Sequence, residues 1–197
     1  SLKNNSRVNS VMSAQPEKRY FNVDEYYRMA RAGVLTPDDR VELIEGEIVK
    51  MSPIGSPHAA CVSRLDDLLR GFRRKKASVR IQSPIRLNDF SEPVPDVALL
   101  KPREDYYATR HPGPADVLLI IEVAETTVIS DRNVKVPLYA RNSIPEVWLV
   151  NLPKKLIEEY FEVADGRYLK SKKYKRGENI VSATIPGLSL RVSDILD

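Results

Sequence analysis

At 197 residues, 42% of them hydrophobic, the chain fits one domain with a real core, and no stretch approaches the roughly 18 apolar residues of a membrane span. A single cysteine rules out an internal disulfide and fits a reducing cytoplasm; with only two histidines beside it, the donors for a structural zinc site are missing, so a bound metal would take oxygen ligands. The formal charge of +4 permits a polyanionic partner without requiring one.

The N-terminal stretch SLKNNSRVNSVMS has no apolar core of a signal peptide, so secretion is not expected. Residues 1–13 read as a disordered leader or a vestige of expression, with Met12 a candidate start, and residues 14–197 as a single domain. Residues 22–33 read as a helix: Asn22 and Glu25 make a capping-box pattern, Val23, Tyr26, Met29 and Ala30 share a face, and Gly33 ends it. The run RVELIEGEIVKMS reads as a β-hairpin turning at Glu45 and Gly46. By alternation Glu42 shares a face with Ile44 while Glu45 falls in the turn, which makes Glu42 the candidate site acid of the pair, beside the plainer reading of a solvated strand glutamate.

A second helix follows, with Ser56 as N-cap and Pro57 at the first helical position. Cys61, Val62, Leu65, Leu68, Leu69 and Phe72 form its apolar stripe. Arg73, Arg74, Lys75 and Lys76 at its end suit the helix dipole as a solvated basic face and are also candidate phosphate contacts. His58 lies in its first turn, either turned to a site or an ordinary helix-start residue.

Residues 79–87 read as a strand, or a bent pair of strands, interrupted by Pro84. In VPDVALL two prolines impose extended backbone before a short buried strand at 97–100, with Asp96 at its start. After a polar excursion over 101–116, the run VLLIIEV at 117–123 is the most apolar stretch in the chain and reads as a central strand buried on both faces. A carboxylate at the rim of such a strand needs pairing, hydrogen bonds or a metal, so Glu122 marks either a site or the point where the strand emerges into solvent. If the strands at 97–100 and 117–123 pair antiparallel, Asp96 comes to lie beside Glu122, and two carboxylates there make a hard-oxygen site suited to Mg²⁺ or Mn²⁺.

A helix is expected from Asp131, as N-cap or first-turn acid, through Arg141, shortened or kinked by Pro137. On it Lys135 falls one turn before Leu138 and Tyr139, where it can face the sheet. The remainder is β-rich: EVWLV at 146–150, a hairpin about Asp165 and Gly166, and short strands about Pro186 and Gly187. Lysines 170, 172, 173 and 175 with Arg176 form a second basic cluster, of the kind that guards a sheet edge.

The succession VELIEGEIV, a helix opened by PHAA, VPDVALL, LLIIEVAETT and SDRNVKVPLYARNSIPEVWLVN resembles the Uma family of restriction-endonuclease-like proteins, within the PD-(D/E)XK nuclease-like superfamily, over roughly residues 20–197. The resemblance implies an α/β architecture, a mixed sheet flanked by helices in a restriction-endonuclease-like core with a β-rich C-terminal part. It places Asp96 at the aspartate of the PD half-motif and Glu122 at the acid of the second half. The usual lysine two positions beyond that acid is replaced by Ala124; Lys135 matches the lysine that related proteins supply from the following helix. Glu42 matches the hairpin acid and His58 a histidine at the start of the next helix. The implied chemistry is hydrolysis of DNA phosphodiester bonds with Mg²⁺ or Mn²⁺ held by Asp96, Glu122 and the Val123 carbonyl, Lys135 stabilising developing charge, and a homodimer suited to cutting two strands. Against it stands a nuclease-fold protein without catalysis, a nucleic-acid-binding or protein-interaction module, which Ala124 favours; hydrolysis of another phosphorylated substrate is a third reading.

Overall fold

The computed structural model describes residues 17–72 and 76–197. The leader expected at 1–13 lies outside the described residues. Helix α1 (Val23–Arg31) carries the expected capping box, with Asn22 Oδ1 accepting from Glu25 N and Glu25 Oε2 from Asn22 N. The hairpin β1 (Val41–Ile44) and β2 (Glu47–Lys50) follows, and then α2 (Ser56–Leu68). The N-cap of α2 is Gly55, with extended φ −78° and ψ 162°, so Ser56 is already inside the first turn. Pro57 is accommodated there because the first-turn N–H groups have no helical partner in any case.

Strand β3 (Ser78–Ile81) is stopped by Gln82, whose left-handed φ of 45° ends the strand before Pro84 is reached, and whose N–H turns to the Asp96 carbonyl. Strands β4 (Val97–Leu100) and β5 (Val117–Ala124) are joined by the polar excursion. After β5 come a short α3 (Val128–Ser130), a π-turn at Asp131–Lys135 and α4 (Val136–Arg141). The helical segment therefore starts before Asp131, and Asp131 is buried inside it instead of capping it. The C-terminal part adds β6 (Glu146–Asn151), β7 (Leu156–Ala164), β8 (Arg167–Lys175), β9 (Asn179–Val181), β10 (Ser189–Arg191) and a last helix α5 (Val192–Leu196).

Six strands form one mixed sheet in the order β3-β4-β5-β6-β7-β8, antiparallel except for β5 with β6. The parallel pair needs a crossover, and α3, the π-turn and α4 supply it. Alternation along β5 divides the core. Leu119, Ile121 and Val123 pack with Cys61, Leu65 and Leu69 of α2 and its extension, whereas Ile120 packs on the other face with Leu138 and Tyr139 of α4. Glu122 shares the parity of Ile120, so its carboxyl is directed to the crossover and the β1–β2 hairpin.

Candidate active site

The site is built where β4 begins and β5 ends. The antiparallel register places Val97 opposite Ile121, which brings Asp96 and Glu122 together as neighbours on adjacent strands. Their contacts are reciprocal: Asp96 N donates to Glu122 Oε2 at 3.4 Å, and Val123 N donates to Asp96 Oδ2 at 2.8 Å. The second Asp96 oxygen lies 3.0 Å from His58 Nε2, delivered by the first turn of α2. That hydrogen bond raises the imidazole above its ordinary pKa, against the opposing effect of burial. Val123, expected to offer its carbonyl, contacts Asp96 through its N–H.

Lys135 reaches the same point from the crossover. Its Nζ stands 3.2 Å from Glu42 Oε1 and 3.4 Å from Glu122 Oε1, and its side chain is almost enclosed. Burial disfavours the ammonium, but Glu122, Glu42 and Asp131 outweigh it and hold Lys135 protonated, above the usual lysine range. Glu42 is itself fixed by Val94 N at 3.0 Å, so the PVP segment ahead of β4 orients the hairpin acid. Burial pushes Glu122 up to about 8, with Asp96 and Asp131 adding to the shift; Lys135 and the Tyr139 hydroxyl, at 2.5 Å from Glu122 Oε1, oppose it.

The π-turn explains how Lys135 gets there. Its widened backbone is closed by Val136 N–H donating to the Asp131 carbonyl, and Pro137 lies just beyond. Proline has no N–H to give residue 133 and its ring crowds that carbonyl, so the expected kink is met by widening the turn. Asp131, Lys135 and Tyr139, each four positions from the next, then all face the sheet.

A cleft of about 800 Å³ opens over this arrangement, with Glu42, His58, Asp96, Glu122, Asp131 and Lys135 in its lining. The donor set suits a hard divalent cation in part. Four carboxyl groups, Glu42, Asp96, Glu122 and Asp131, surround Lys135 and His58, an oxygen-rich floor in which burial favours the protonated form of Glu122. Among the described residues, however, no three His, Cys, Asp or Glu side chains converge as a ready metal cage. Asp96 and Glu122 are the neighbouring pair of carboxyl groups in this floor, and two carboxylates with water in the remaining positions are a set that Mg²⁺ commonly accepts.

A family model described as "Putative restriction endonuclease", Uma2, matches residues 23–193. The chain belongs to this family. Its fold is similar to that of a crystal structure titled as a "putative nuclease belonging to DUF820" from Anabaena variabilis, with a TM-score of 0.66, 15% identity, and coverage of 89% of this chain and 97% of that one. At that identity the likeness establishes the fold alone. No curated protein matches the chain.

The five side chains expected at a site, Asp96, Glu122, Lys135, Glu42 and His58, meet here. Sequence reading misses the Tyr139 hydroxyl on Glu122 and the inward turn of Asp131, whose Oδ2 accepts from Thr127 Oγ1 at 2.5 Å. The four-residue spacing of Asp131, Lys135 and Tyr139 was the available signal. Of the basic residues proposed for DNA, Arg73, Arg74 and Lys75 lie outside the described residues. Lys76 sits past the far end of α2 from His58, its Nζ 3.3 Å from the Pro186 carbonyl, and does not line the cleft. Among the described residues no helix is long and apolar enough to cross a membrane.

Proposed function

We propose that the protein is a divalent-metal-dependent endonuclease that hydrolyses DNA phosphodiester bonds. The observation that carries this reading is the meeting of Lys135 with Glu122, beside Asp96, from three separate elements at the floor of one cleft, which puts two acids and an ammonium where a metal and a phosphodiester could be held together. Bound Mg²⁺ or Mn²⁺ would supply Lewis-acid polarisation of a phosphoryl oxygen and a lowered pKa for the attacking water.

The chain's own residues do the rest. Asp96 and Glu122 would hold the cation, and Tyr139 and Val123 N–H fix the orientation of their carboxyl groups. The Lys135 ammonium, kept charged by Glu42 and Glu122, faces the cleft where negative charge grows on the phosphoryl oxygens. His58 holds Asp96 Oδ1 at 3.0 Å and so competes for the oxygen that a cation would take there.

The test is nicking of supercoiled DNA by the purified protein in Mg²⁺, Mn²⁺ and EDTA, with Asp96→Asn alongside. Metal-dependent nicking that disappears in Asp96→Asn supports the reading. Equal nicking by both proteins, or none by either, together with no Mn²⁺ binding by calorimetry, refutes it in favour of a module without catalysis.

A further inference from the structure

The walls of the cleft differ from its floor. Among the described residues, four of the ten large apolar side chains left exposed border this one cleft: Ile129 (73% exposed), Ile54 (41%), Val134 (40%) and Val49 (38%). Single exposed apolar residues are ordinary, but a group of them around a polar floor marks a binding surface. They come from separate elements. Ile54 belongs to the loop before α2, Ile129 to α3, Val134 to the π-turn, and Val49 stands opposite Glu42 on the hairpin and so shares its face. The two sides are held close: a Cβ built at Gly55 would lie 2.5 Å from Glu125 Oε2, so the Ile54 loop packs against the side chain that follows β5.

The hairpin side also carries Arg40 and Lys50, both exposed in the lining and neither with an ion-pair partner within 4.0 Å among the described residues. A strand whose phosphates run along Arg40 and Lys50 and whose scissile phosphate reaches the floor meets aliphatic side chains with whatever lies beside its backbone. In a stacked duplex that is sugar, charged phosphate and groove water, which such lips exclude poorly. Unpaired bases offer apolar faces instead, and isoleucine is among the side chains that proteins insert between base steps to unstack them.

We infer that the substrate enters with the nucleotides next to the scissile phosphate unpaired, their bases against Ile54, Ile129 and Val134. The substrate class is single-stranded or locally unpaired DNA. This rests on the nuclease reading of the floor.

The experiment uses one fluorescein-labelled oligonucleotide sequence as a single strand, as a perfect duplex and as a duplex with a central mismatch bubble. Cleavage is followed in Mn²⁺, and binding by fluorescence anisotropy in EDTA. The proteins are the wild type and an Ile54→Ser/Ile129→Ser double variant, whose exposed positions leave the fold intact, as circular dichroism checks. The expected result is single-strand and bubble cleavage roughly tenfold or more faster than duplex cleavage, with the same order in binding, and a ratio that falls toward one in the double variant. Equal handling of duplex and single strand, or a double variant with an unchanged ratio, overturns the inference. If nothing is cut, the nuclease reading fails, and the anisotropy ratio still decides the inference about unpaired bases. A wild-type dimer by light scattering that the double variant converts to monomer would show that a second copy covers the lips, and also overturns it.

Discussion

Lys135 Nζ lies 3.4 Å from Glu122 Oε1, although one side chain comes from the central strand and the other from the helical crossover behind it. Two positions beyond Glu122 the strand carries Ala124, which is fully buried, so the ammonium beside Glu122 comes from the crossover and not from the strand.

The π-turn is what aims this lysine, so Pro137→Ala should damage activity more than stability. With an amide restored at residue 137, the turn can tighten to α-helical bonding and swing Lys135 off its line to Glu122. Cleavage is expected to fall roughly 10- to 100-fold, the scale of a misplacement near 1 Å, with a stability change within about 1 kcal/mol. Paired kinetics and urea unfolding would check this; unchanged kinetics would show that the turn is not needed for positioning.

Metal affinity should depend on His58. Its raised imidazole pKa means that the protonated ring is bound to Asp96 below that value and releases it as pH rises through it. The stability that this contact contributes is fully present below the ordinary histidine value of 6.5 and is lost above the raised one. Mn²⁺ binding by calorimetry should therefore tighten from acidic to mildly alkaline pH as His58 and Glu122 both lose protons, and His58→Ala should remove the imidazole's share of that slope while the share of Glu122 remains. A slope identical in the variant would remove His58 from the site's proton balance.

How much of this was legible in the sequence can be judged from particular residues. Strand signals mark VPDVALL and VLLIIEV, and on the condition that they pair antiparallel, which the register meets, Asp96 lies beside Glu122. Lys135 was reached through the family resemblance, because no periodicity says that a lysine near a proline should point inward. Local pattern reads Asp131 as an N-cap or first-turn acid: capping rules are local, whereas its burial arises from a sheet and a hairpin distant in sequence. The cap of α2 falls one residue earlier than the Ser-Pro pattern suggests, at Gly55, whose backbone is still extended while Ser56 is already helical.

Glu122 should weaken the metal-free fold at neutral and higher pH. A buried carboxyl raised from 4.5 to about 8 stabilises the folded state least when ionised, so stability should fall as pH climbs through that window and level off above it. Glu122→Gln is expected to raise the stability of the metal-free protein at pH near 8.5 by roughly 1–3 kcal/mol, flatten the pH dependence and abolish cleavage. Thermal unfolding across pH in EDTA would check it; a variant less stable than wild type at every pH would mean that the Lys135 pairing outweighs the cost of burial.

The most direct measurement is the single-turnover rate of metal-dependent DNA cleavage by wild type, Lys135→Ala and Lys135→Arg, with Mn²⁺ binding measured on each protein. The account predicts a loss of roughly 100- to 1000-fold in Lys135→Ala, little recovery in Lys135→Arg, and Mn²⁺ binding retained in both, because Asp96 and Glu122 remain. Cleavage by Lys135→Ala at the wild-type rate, with metal bound, would contradict it.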